Sequence, residues 1–317
     1  YKKDNNLAIS MAEKIGYFTG KEAKNIGLNW LLAPVCDINN NSNNPVINLR
    51  AWGEEPETVK ILTGAFHRGV ARSKMLTCAK HFPGHGNSAI DSHLDLPEIQ
   101  NDLFKLDEFE LIPFKSLINQ GVNSVMIGHL LFSKIDPIYP ATLSKILVTD
   151  LLRIKLKYDG LVVSDALVMN AISNKYSSGM AAVMAFDAGI DLIMMPKDID
   201  EAIDSLTDAF YSEKISLERL YISRERRKKQ LDLISNDNYL EKEEFRNEDI
   251  KNKSLLDVSK FSNSVIKSSI FVREESIIKA EVNDINLIQI DNFDQVSNKF
   301  LPALDLPKAV GFKNLII

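Results

Sequence analysis

Residues 160–167 read Gly-Leu-Val-Val-Ser-Asp-Ala-Leu, in which a short apolar run is followed by the carboxylate of Asp165. Similar runs, rich in β-branched residues, recur along the chain and alternate with longer amphipathic segments. This alternation is typical of βαβ units and predicts a parallel sheet. The five predicted strands are Trp30 to Val35, Met75 to Ala79, Ser124 to Ile127, Leu161 to Val163 and Leu192 to Met195.

The amphipathic segments predict helices between the strands. Pro56 favours a helix that begins directly after it, because proline suits the first helical turn. Gly121 and Gly189 stand where helix C-caps are expected. The six predicted helices are Asn6 to Asn25, Glu57 to Arg72, Glu108 to Asn119, Ser144 to Ile154, Ser178 to Ala188 and Asp198 to Phe210.

The composition excludes several classes of protein. The 317 residues include 38 Lys and Arg against 43 Asp and Glu, a formal net charge of −5, which argues against a nucleic-acid partner. Two cysteines, Cys36 and Cys78, are too few for a disulfide framework and lie in apolar stretches. No apolar run has the length of a membrane span and no signal peptide is recognisable, so we expect a cytoplasmic protein.

Polar or catalytic-type residues cluster just after each predicted strand. Asp37 follows the first strand, Lys80-His81 the second, Gly128-His129 the third, Ser164-Asp165 the fourth and Pro196 the fifth. Because the carboxyl ends of parallel strands are where ligands bind in α/β folds, we expect the chemistry on that face.

A cluster of histidines points to a site in the segment after the second strand. His81, His85 and His93 share a loop-like segment with glycines and a proline. Zinc binding is disfavoured, because Cys78 precedes the cluster within the strand and Lys80 places a positive charge beside any cation. We therefore expect neither a metal nor a cofactor.

Two carboxylates remain open to more than one interpretation. Asp91 stands two residues before His93, so in an extended segment it could orient the imidazole and stabilise its protonated form. It could instead accept hydrogen bonds from the main-chain amides of a turn. Asp165 could be a nucleophile, a base, a ligand or only the N-cap of the next helix. Together with the histidine loop on the same face, Asp165 becomes the best candidate for a covalent nucleophile.

Several segments in register resemble the NagZ-type β-N-acetylglucosaminidases of glycoside hydrolase family 3, over roughly residues 16–196. The matching segments are Lys80-His81-Phe82-Pro83-Gly84-His85-Gly86, Asp91-Ser92-His93 with Leu96-Pro97, Ala33-Pro34-Val35-Cys36-Asp37-Ile38, Asn44-Pro45-Val46-Ile47 with Arg50, and Val163-Ser164-Asp165-Ala166-Leu167 with Met169. Members of this family are retaining enzymes that act without a metal.

The resemblance implies a role for each matching residue. Asp165 corresponds to the nucleophile, His93 to the general acid/base and Asp91 to its dyad partner. Three further residues correspond to positions that hydrogen-bond the hydroxyls of the bound N-acetylglucosamine: Lys80, His81 and Arg50. A histidine in the acid/base role departs from the usual pair of carboxyl groups of retaining glycosidases.

The resemblance also implies a (β/α)8 TIM-type barrel that lacks its first three strands here. An open five-stranded sheet would expose a long edge, so we expect a piece of a longer protein. At the usual length of a barrel, the missing strands amount to on the order of 80 to 100 residues. The expected domains are residues 1–222 as the last five-eighths of the barrel, 223–253 as a charged linker, and 254–317 as the start of an α/β sandwich domain.

The resulting functional hypothesis is an exo-acting hydrolase that releases terminal β-linked N-acetylglucosamine from peptidoglycan fragments or chitooligosaccharides. A phosphorylase is a live alternative, because a neutral imidazole does not repel an incoming phosphate. A β-glucosidase of the same family is another alternative. A non-catalytic sugar-binding relative is the alternative from a different class of protein.

Overall fold

A computed structural model describes residues 5–88, 91, 92, 94–235 and 257–265, and the backbone of residues 286, 287, 315 and 316. The chain divides into two compact units, Tyr1–Val258 and Ser259–Ile317. In the second unit two short strands pair in parallel, β5 (Asn286–Leu287) with β6 (Leu315–Ile316). Residues 257–265 are helical. Most of the predicted linker lies outside the described residues, and the predicted domain boundaries stay a prediction.

Four parallel strands of the first unit form one sheet. They are β1 (Cys78–Phe82), β2 (Ser124–Ile127), β3 (Leu161–Ala166) and β4 (Leu192–Met194). Each strand lies beside the one that precedes it in the chain, with Ser124 paired to Leu161 and Val163 to Leu192. This order, with helices between the strands, is that of the wall of a (β/α) barrel and confirms the predicted fold class.

The helices of this unit include all six that the sequence predicts. They are α1 (Asn5–Asn25), α2 (Pro56–Arg72), α3 (Leu103–Lys105), α4 (Leu111–Asn119), α5 (Asn170–Ser173), α6 (Ser178–Ala188), α7 (Ile199–Tyr211) and α8 (Leu217–Ser235), with π-helical turns at Leu106–Glu110 and Ile146–Lys155 and 3-10 turns at Asn48–Arg50 and Ala141–Leu143.

Two helices differ in detail from the prediction. The third predicted helix begins earlier, because the carboxylate of Asp102 accepts a hydrogen bond from the N–H of Lys105 and caps α3. The fourth predicted helix, Ser144 to Ile154, forms the π-helical turns of Ile146–Lys155 instead of an ordinary α-helix.

The prediction of a regular first strand over Trp30 to Val35 is wrong. This segment runs parallel to β1 and is joined to it through single bridges, at Trp30 with Leu76 and at Val35 with Lys80. Pro34 has no N–H to donate, which interrupts a regular ladder. Strand β1 both begins and ends later than the predicted Met75 to Ala79. The prediction missed its end because Lys80 and His81 are polar and interrupt the apolar pattern.

Apolar side chains cover both faces of the sheet. The outer face packs against the helices around the fully buried Phe82 and Phe114. The inner face carries Cys78, Met126 and Val163 from three adjacent strands. Burial on both faces is typical of parallel sheets and explains the continuous apolar strands in the sequence. Cys36 and Cys78 are both free thiols in this core, and burial raises the pKa of Cys78 to about 12.

Candidate active site

A cavity of about 140 Å³ lies at the carboxyl ends of the strands. The structure brings four of the predicted site residues to this cavity, one from β3, two from β1 and one from the 3-10 turn before α2. Its lining residues are Leu32, Val46, Arg50, Lys80, His81, His85, Ser92, Met126, Asp165 and Met194. Charged and imidazole groups therefore share the cavity with an apolar wall of aliphatic and methionine side chains.

Asp165 is the next-to-last residue of β3 and is half-buried. Its Oδ1 accepts a hydrogen bond of 2.8 Å from the N–H of Ala166. Burial acts to raise the pKa of this carboxyl, but attraction to His81 and His129, the Ala166 N–H and Lys80 together hold it below its ordinary value. Asp165 is therefore ionised at neutral pH, as a carboxylate nucleophile must be.

Lys80 and Arg50 contribute two cations to the same cavity. Burial and the repulsion of Arg50 lower the pKa of Lys80, against the opposing attraction of Asp165 and Asp37. Arg50 is exposed at the cavity rim and donates from Nη1 to the main-chain carbonyl of Val46, 3.2 Å away. Both side chains are suited to donating hydrogen bonds to hydroxyl oxygens.

His81 is fixed by Asp37, a residue to which the sequence alone assigns no role. The two side chains form a close pair, with 2.7 Å between His81 Nδ1 and Asp37 Oδ2. Both residues are buried. A signal was present in the sequence, because Asp37 lies two residues after the end of the first predicted strand, on the face where we expect the chemistry.

His85 is buried, lines the cavity and contacts two serines of the segment that follows β1. Its Nδ1 lies 2.8 Å from Ser88 Oγ and its Nε2 lies 3.1 Å from Ser92 Oγ. Burial lowers the pKa of His85, against the attraction of Asp37. Asn44 ties this loop to the segment that carries Arg50, since its Nδ2 donates to the carbonyl of His85 at 2.8 Å. This contact gives Asn44 of the Asn44-Pro45 segment a structural role.

A further buried imidazole lies beside Asp165. His129 follows β2 and is 1% exposed. Its Nε2 lies 3.0 Å from the carbonyl oxygen of Ala166 and its Nδ1 lies 2.7 Å from Thr142 Oγ1. The sequence places His129 at the end of a strand, but only the structure shows that it contacts the residue after Asp165.

His93 lies outside the described residues, so its role as acid/base stays a prediction. Asp91 is described and half-buried, and its pairing with His93 likewise stays a prediction. Ser92, between them, is buried and lines the cavity. The loop that carries the predicted dyad therefore reaches the cavity that holds Asp165.

No group of three or more His, Cys, Asp or Glu side chains with the geometry of a metal site occurs among the described residues. Within the same part of the chain, no helix is long and apolar enough to cross a membrane. The chemistry available at the cavity is that of an ionised carboxylate surrounded by hydrogen-bond donors and imidazoles.

Comparison with known proteins gives one consistent family. The model of the glycosyl hydrolase family 3 N-terminal domain matches residues 3–228. Beta-hexosaminidase A of Pseudoalteromonas piscicida is 34% identical over 230 residues, which are 66% of this chain and 38% of that protein. Beta-hexosaminidase of Chromobacterium violaceum is 34% identical over 63% of this chain and 55% of its own length. The chain thus spans about half the length of the curated relatives it matches.

Solved structures agree with this assignment. A glycoside hydrolase family 3 beta-N-acetylglucosaminidase from Paenibacillus sp. str. FPU-7 superposes with a TM-score of 0.70 and 39% identity, over 74% of this chain and 46% of its own. Beta-glucoside phosphorylase BglX superposes with a TM-score of 0.83 over 97% of this chain and 59% of its own, at 22% identity. The latter likeness is one of fold.

Proposed function

The chain belongs to glycosyl hydrolase family 3, and on that premise we propose that it carries the catalytic site of a retaining, exo-acting β-N-acetylglucosaminidase. The substrates are peptidoglycan fragments or chitooligosaccharides with a terminal β-linked N-acetylglucosamine. One observation supports this proposal above the others: an ionised Asp165 shares a cavity of about 140 Å³ with Lys80, His81 and Arg50 at the carboxyl ends of the strands. The cytoplasmic location and the absence of a nucleic-acid partner stay predictions.

The first step forms a covalent intermediate. An oxygen of Asp165 attacks the anomeric carbon, the bond to the leaving oxygen breaks, and His93 donates a proton to that oxygen. The lowered pKa of Asp165 keeps the attacking group ionised. The cations Lys80 and Arg50 and the imidazole of His81 fix the ring through its hydroxyls, which holds the anomeric carbon in place for attack.

The second step releases the sugar. His93, neutral after the first step, takes a proton from water, and the water oxygen attacks the anomeric carbon while its bond to Asp165 breaks. Asp91 stabilises the charged form of His93 in both steps. Two displacements at the same carbon return the β configuration, so the mechanism is retaining.

The proposal is tested with an aryl β-N-acetylglucosaminide and an aryl β-glucoside as parallel substrates of the intact protein. We expect turnover of the first and a loss on the order of 10³-fold in kcat for Asp165→Asn, because the amide is not a nucleophile. Asp204→Asn, which alters an exposed carboxyl of α7, serves as the matched control. Preferred turnover of the glucoside, or an active Asp165→Asn variant, contradicts the proposal.

Phosphorolysis is the second candidate, since Lys80 and Arg50 supply positive charge to the cavity and a histidine acid/base adds no negative charge. The same assay with inorganic phosphate added distinguishes the two reactions. Hydrolysis yields the free sugar at every phosphate concentration. Phosphorolysis yields N-acetylglucosamine 1-phosphate in proportion to the phosphate supplied.

A further inference from the structure

Asp37 is a buried carboxylate, 1% exposed, and within the described part of the chain its side chain accepts hydrogen bonds from nitrogens of His81 and His85. Its Oδ1 accepts from the main-chain N–H of His85 at 2.7 Å and of His81 at 3.2 Å. Its Oδ2 lies 2.7 Å from His81 Nδ1 and 3.2 Å from the His81 N–H. The carboxylate thus contacts both the backbone of the loop and the ring of His81.

We propose that Asp37 is a positioning residue that fixes the tautomer of His81, so that Nδ1 carries the hydrogen and Nε2 accepts a hydrogen bond from a hydroxyl of the sugar. This inference rests on the proposed function, because the sugar is its ligand. An ionised carboxylate can only accept, so the imidazole nitrogen that faces it must donate. In the neutral ring the other nitrogen is then an acceptor.

The ionised state of Asp37 is supported by its surroundings. Burial acts to raise the pKa of this carboxyl, but the attraction of the charged form of His81 and its hydrogen bond, followed by the attraction and N–H of His85, hold it below its ordinary value. When the His81 ring is neutral, the hydrogen bonds from Nδ1 and from the two main-chain N–H groups remain. Nε2 of His81 makes no hydrogen bond to another residue in the described part of the chain, and the ring lines the cavity. The acceptor created by Asp37 is therefore available to a ligand.

The tautomer has a consequence for recognition. Lys80 and Arg50 can only donate hydrogen bonds, whereas Nε2 of a neutral His81 can only accept one. A hydroxyl does both, so it can accept from a cation and donate to His81 at the same time. A group that accepts without donating satisfies only half of this arrangement, which makes His81 selective for a free hydroxyl.

Asp37→Asn acts mainly on the contact with Nδ1. With its oxygen in the place of Oδ1, the amide keeps the hydrogen bonds from the N–H groups of His81 and His85 and loses only the second, 3.2 Å contact of the His81 N–H with Oδ2. Its NH2 group then replaces Oδ2 and faces Nδ1 of His81, 2.7 Å away in the native protein. Two donors cannot face each other, so the hydrogen of the neutral ring moves to Nε2. The variant thus reverses the group offered to the sugar with little change in shape.

The tautomer is read directly by nitrogen NMR of the intact protein with 15N-labelled histidine, using His81→Gln to assign the signals of His81. As the pH rises and the ring loses a proton, we expect Nε2 to become the unprotonated nitrogen while Nδ1 keeps its hydrogen. Loss of the hydrogen from Nδ1 overturns the proposal. This measurement needs no substitution at Asp37 and no turnover, so its result is independent of the proposed function.

The effect on recognition is read from kcat/KM at a pH where the NMR signals show a neutral ring. We expect Asp37→Asn to lower kcat/KM about tenfold to a hundredfold, the usual range for a mismatched polar contact. If Asp37 acts through His81, the double variant Asp37→Asn with His81→Ala is no worse than His81→Ala alone. Losses that multiply instead show that Asp37 acts independently of the His81 ring and overturn the proposal.

Fluorinated substrates give the sharpest comparison. In aryl N-acetylglucosaminides whose ring hydroxyls are replaced one at a time by fluorine, the native protein should reject the analogue altered at the hydroxyl that donates to His81. Asp37→Asn, which presents an N–H at Nε2, should reject that same analogue less strongly. Equal discrimination by both proteins overturns the proposed recognition, while absence of all turnover by the native protein contradicts the proposed function itself.

Discussion

His129 donates a hydrogen bond from Nε2 to the main-chain carbonyl oxygen of Ala166, 3.0 Å away, and Ala166 directly follows Asp165. A carbonyl only accepts, so Nε2 carries the hydrogen. The other ring nitrogen lies 2.7 Å from Thr142 Oγ1, which in turn donates to the Gly128 carbonyl at 3.1 Å. This chain of contacts joins the end of β2 to the end of β3 and holds the main chain that carries Asp165.

We predict that His129→Leu lowers kcat by about ten- to hundredfold with a smaller change in KM, because a small displacement of Asp165 impairs attack on the anomeric carbon. His129→Gln retains an N–H that can reach the Ala166 carbonyl and should recover most of the activity. Steady-state kinetics with an aryl β-N-acetylglucosaminide, alongside thermal unfolding of each variant, provide the measurement. Native kcat in a folded His129→Leu variant would show that the contact does not position Asp165.

Glu110 gives a pH-dependent contribution to stability. It is 3% exposed, its Oε1 accepts a hydrogen bond from Asn101 Nδ2 at 2.7 Å, and its Oε2 has no partner among the described residues. Burial raises the pKa of this carboxyl, against smaller opposing effects of its own backbone and Lys105. The folded state then binds a proton more tightly than the unfolded state, so Glu110 costs stability as the pH rises from about 4.5 through the raised pKa.

Between pH 5 and pH 8 we therefore predict that the free energy of unfolding falls less in Glu110→Gln than in the native protein. The difference between the two falls should be about 1 kcal/mol. Urea unfolding at a series of pH values measures the difference. Asp204→Asn is the control, because that carboxyl is exposed. An unchanged pH dependence in Glu110→Gln would mean that Glu110 titrates in the folded protein as it does in water.

Asp191 is the counter-charge of a cluster of arginines at the amino end of β4. Its side chain is fully buried and its two oxygens form ion pairs with Arg153, Arg219 and Arg226. Ser223 also donates to Oδ1 at 2.9 Å, which fixes α8 against the sheet. Removing this charge leaves the largely buried guanidinium groups of Arg153 and Arg219 without this carboxylate, while Arg226 keeps its pair with Asp159.

We predict that Asp191→Asn lowers the free energy of unfolding by roughly 3 to 5 kcal/mol, as expected when one partner of a buried ion pair is lost. Asp232→Asn, which removes an exposed pair with Lys228, should cost less than about 1 kcal/mol. Urea unfolding of the two variants side by side checks both values. Equal losses would contradict the assigned role of Asp191.

Periodicity predicted the helices and strands well because most of them bury an apolar face. It failed where single residues decide the backbone pairing. Pro34 interrupts the first predicted strand, and β1 continues through the polar residues Lys80 and His81, which line the cavity. The π-helical turns of Ile146–Lys155 have the same apolar spacing as an α-helix over a short distance, so the pattern does not distinguish them.

The sequence identified part of the candidate site, namely the residues that lie at strand ends or in the matching motifs. Strand-end position and motif resemblance singled out Asp165, Lys80, His81 and Arg50, and the structure gathers these four at one cavity. The supporting contacts of Asp37 and His129 join residues far apart in sequence. Such pairings depend on the register of the strands, which a single sequence does not specify.

The central claim is that Asp165 forms a covalent bond to the sugar. It is tested by mixing the intact protein with a 5-fluoro-N-acetylglucosaminyl fluoride, whose reactive leaving group allows the first step while the ring fluorine slows the second, and by measuring peptide masses after digestion. We predict one added fluorosugar, on the peptide that contains Asp165, and none in Asp165→Asn. An adduct on another residue, or turnover of an aryl N-acetylglucosaminide by the protein with no adduct at Asp165, would contradict it.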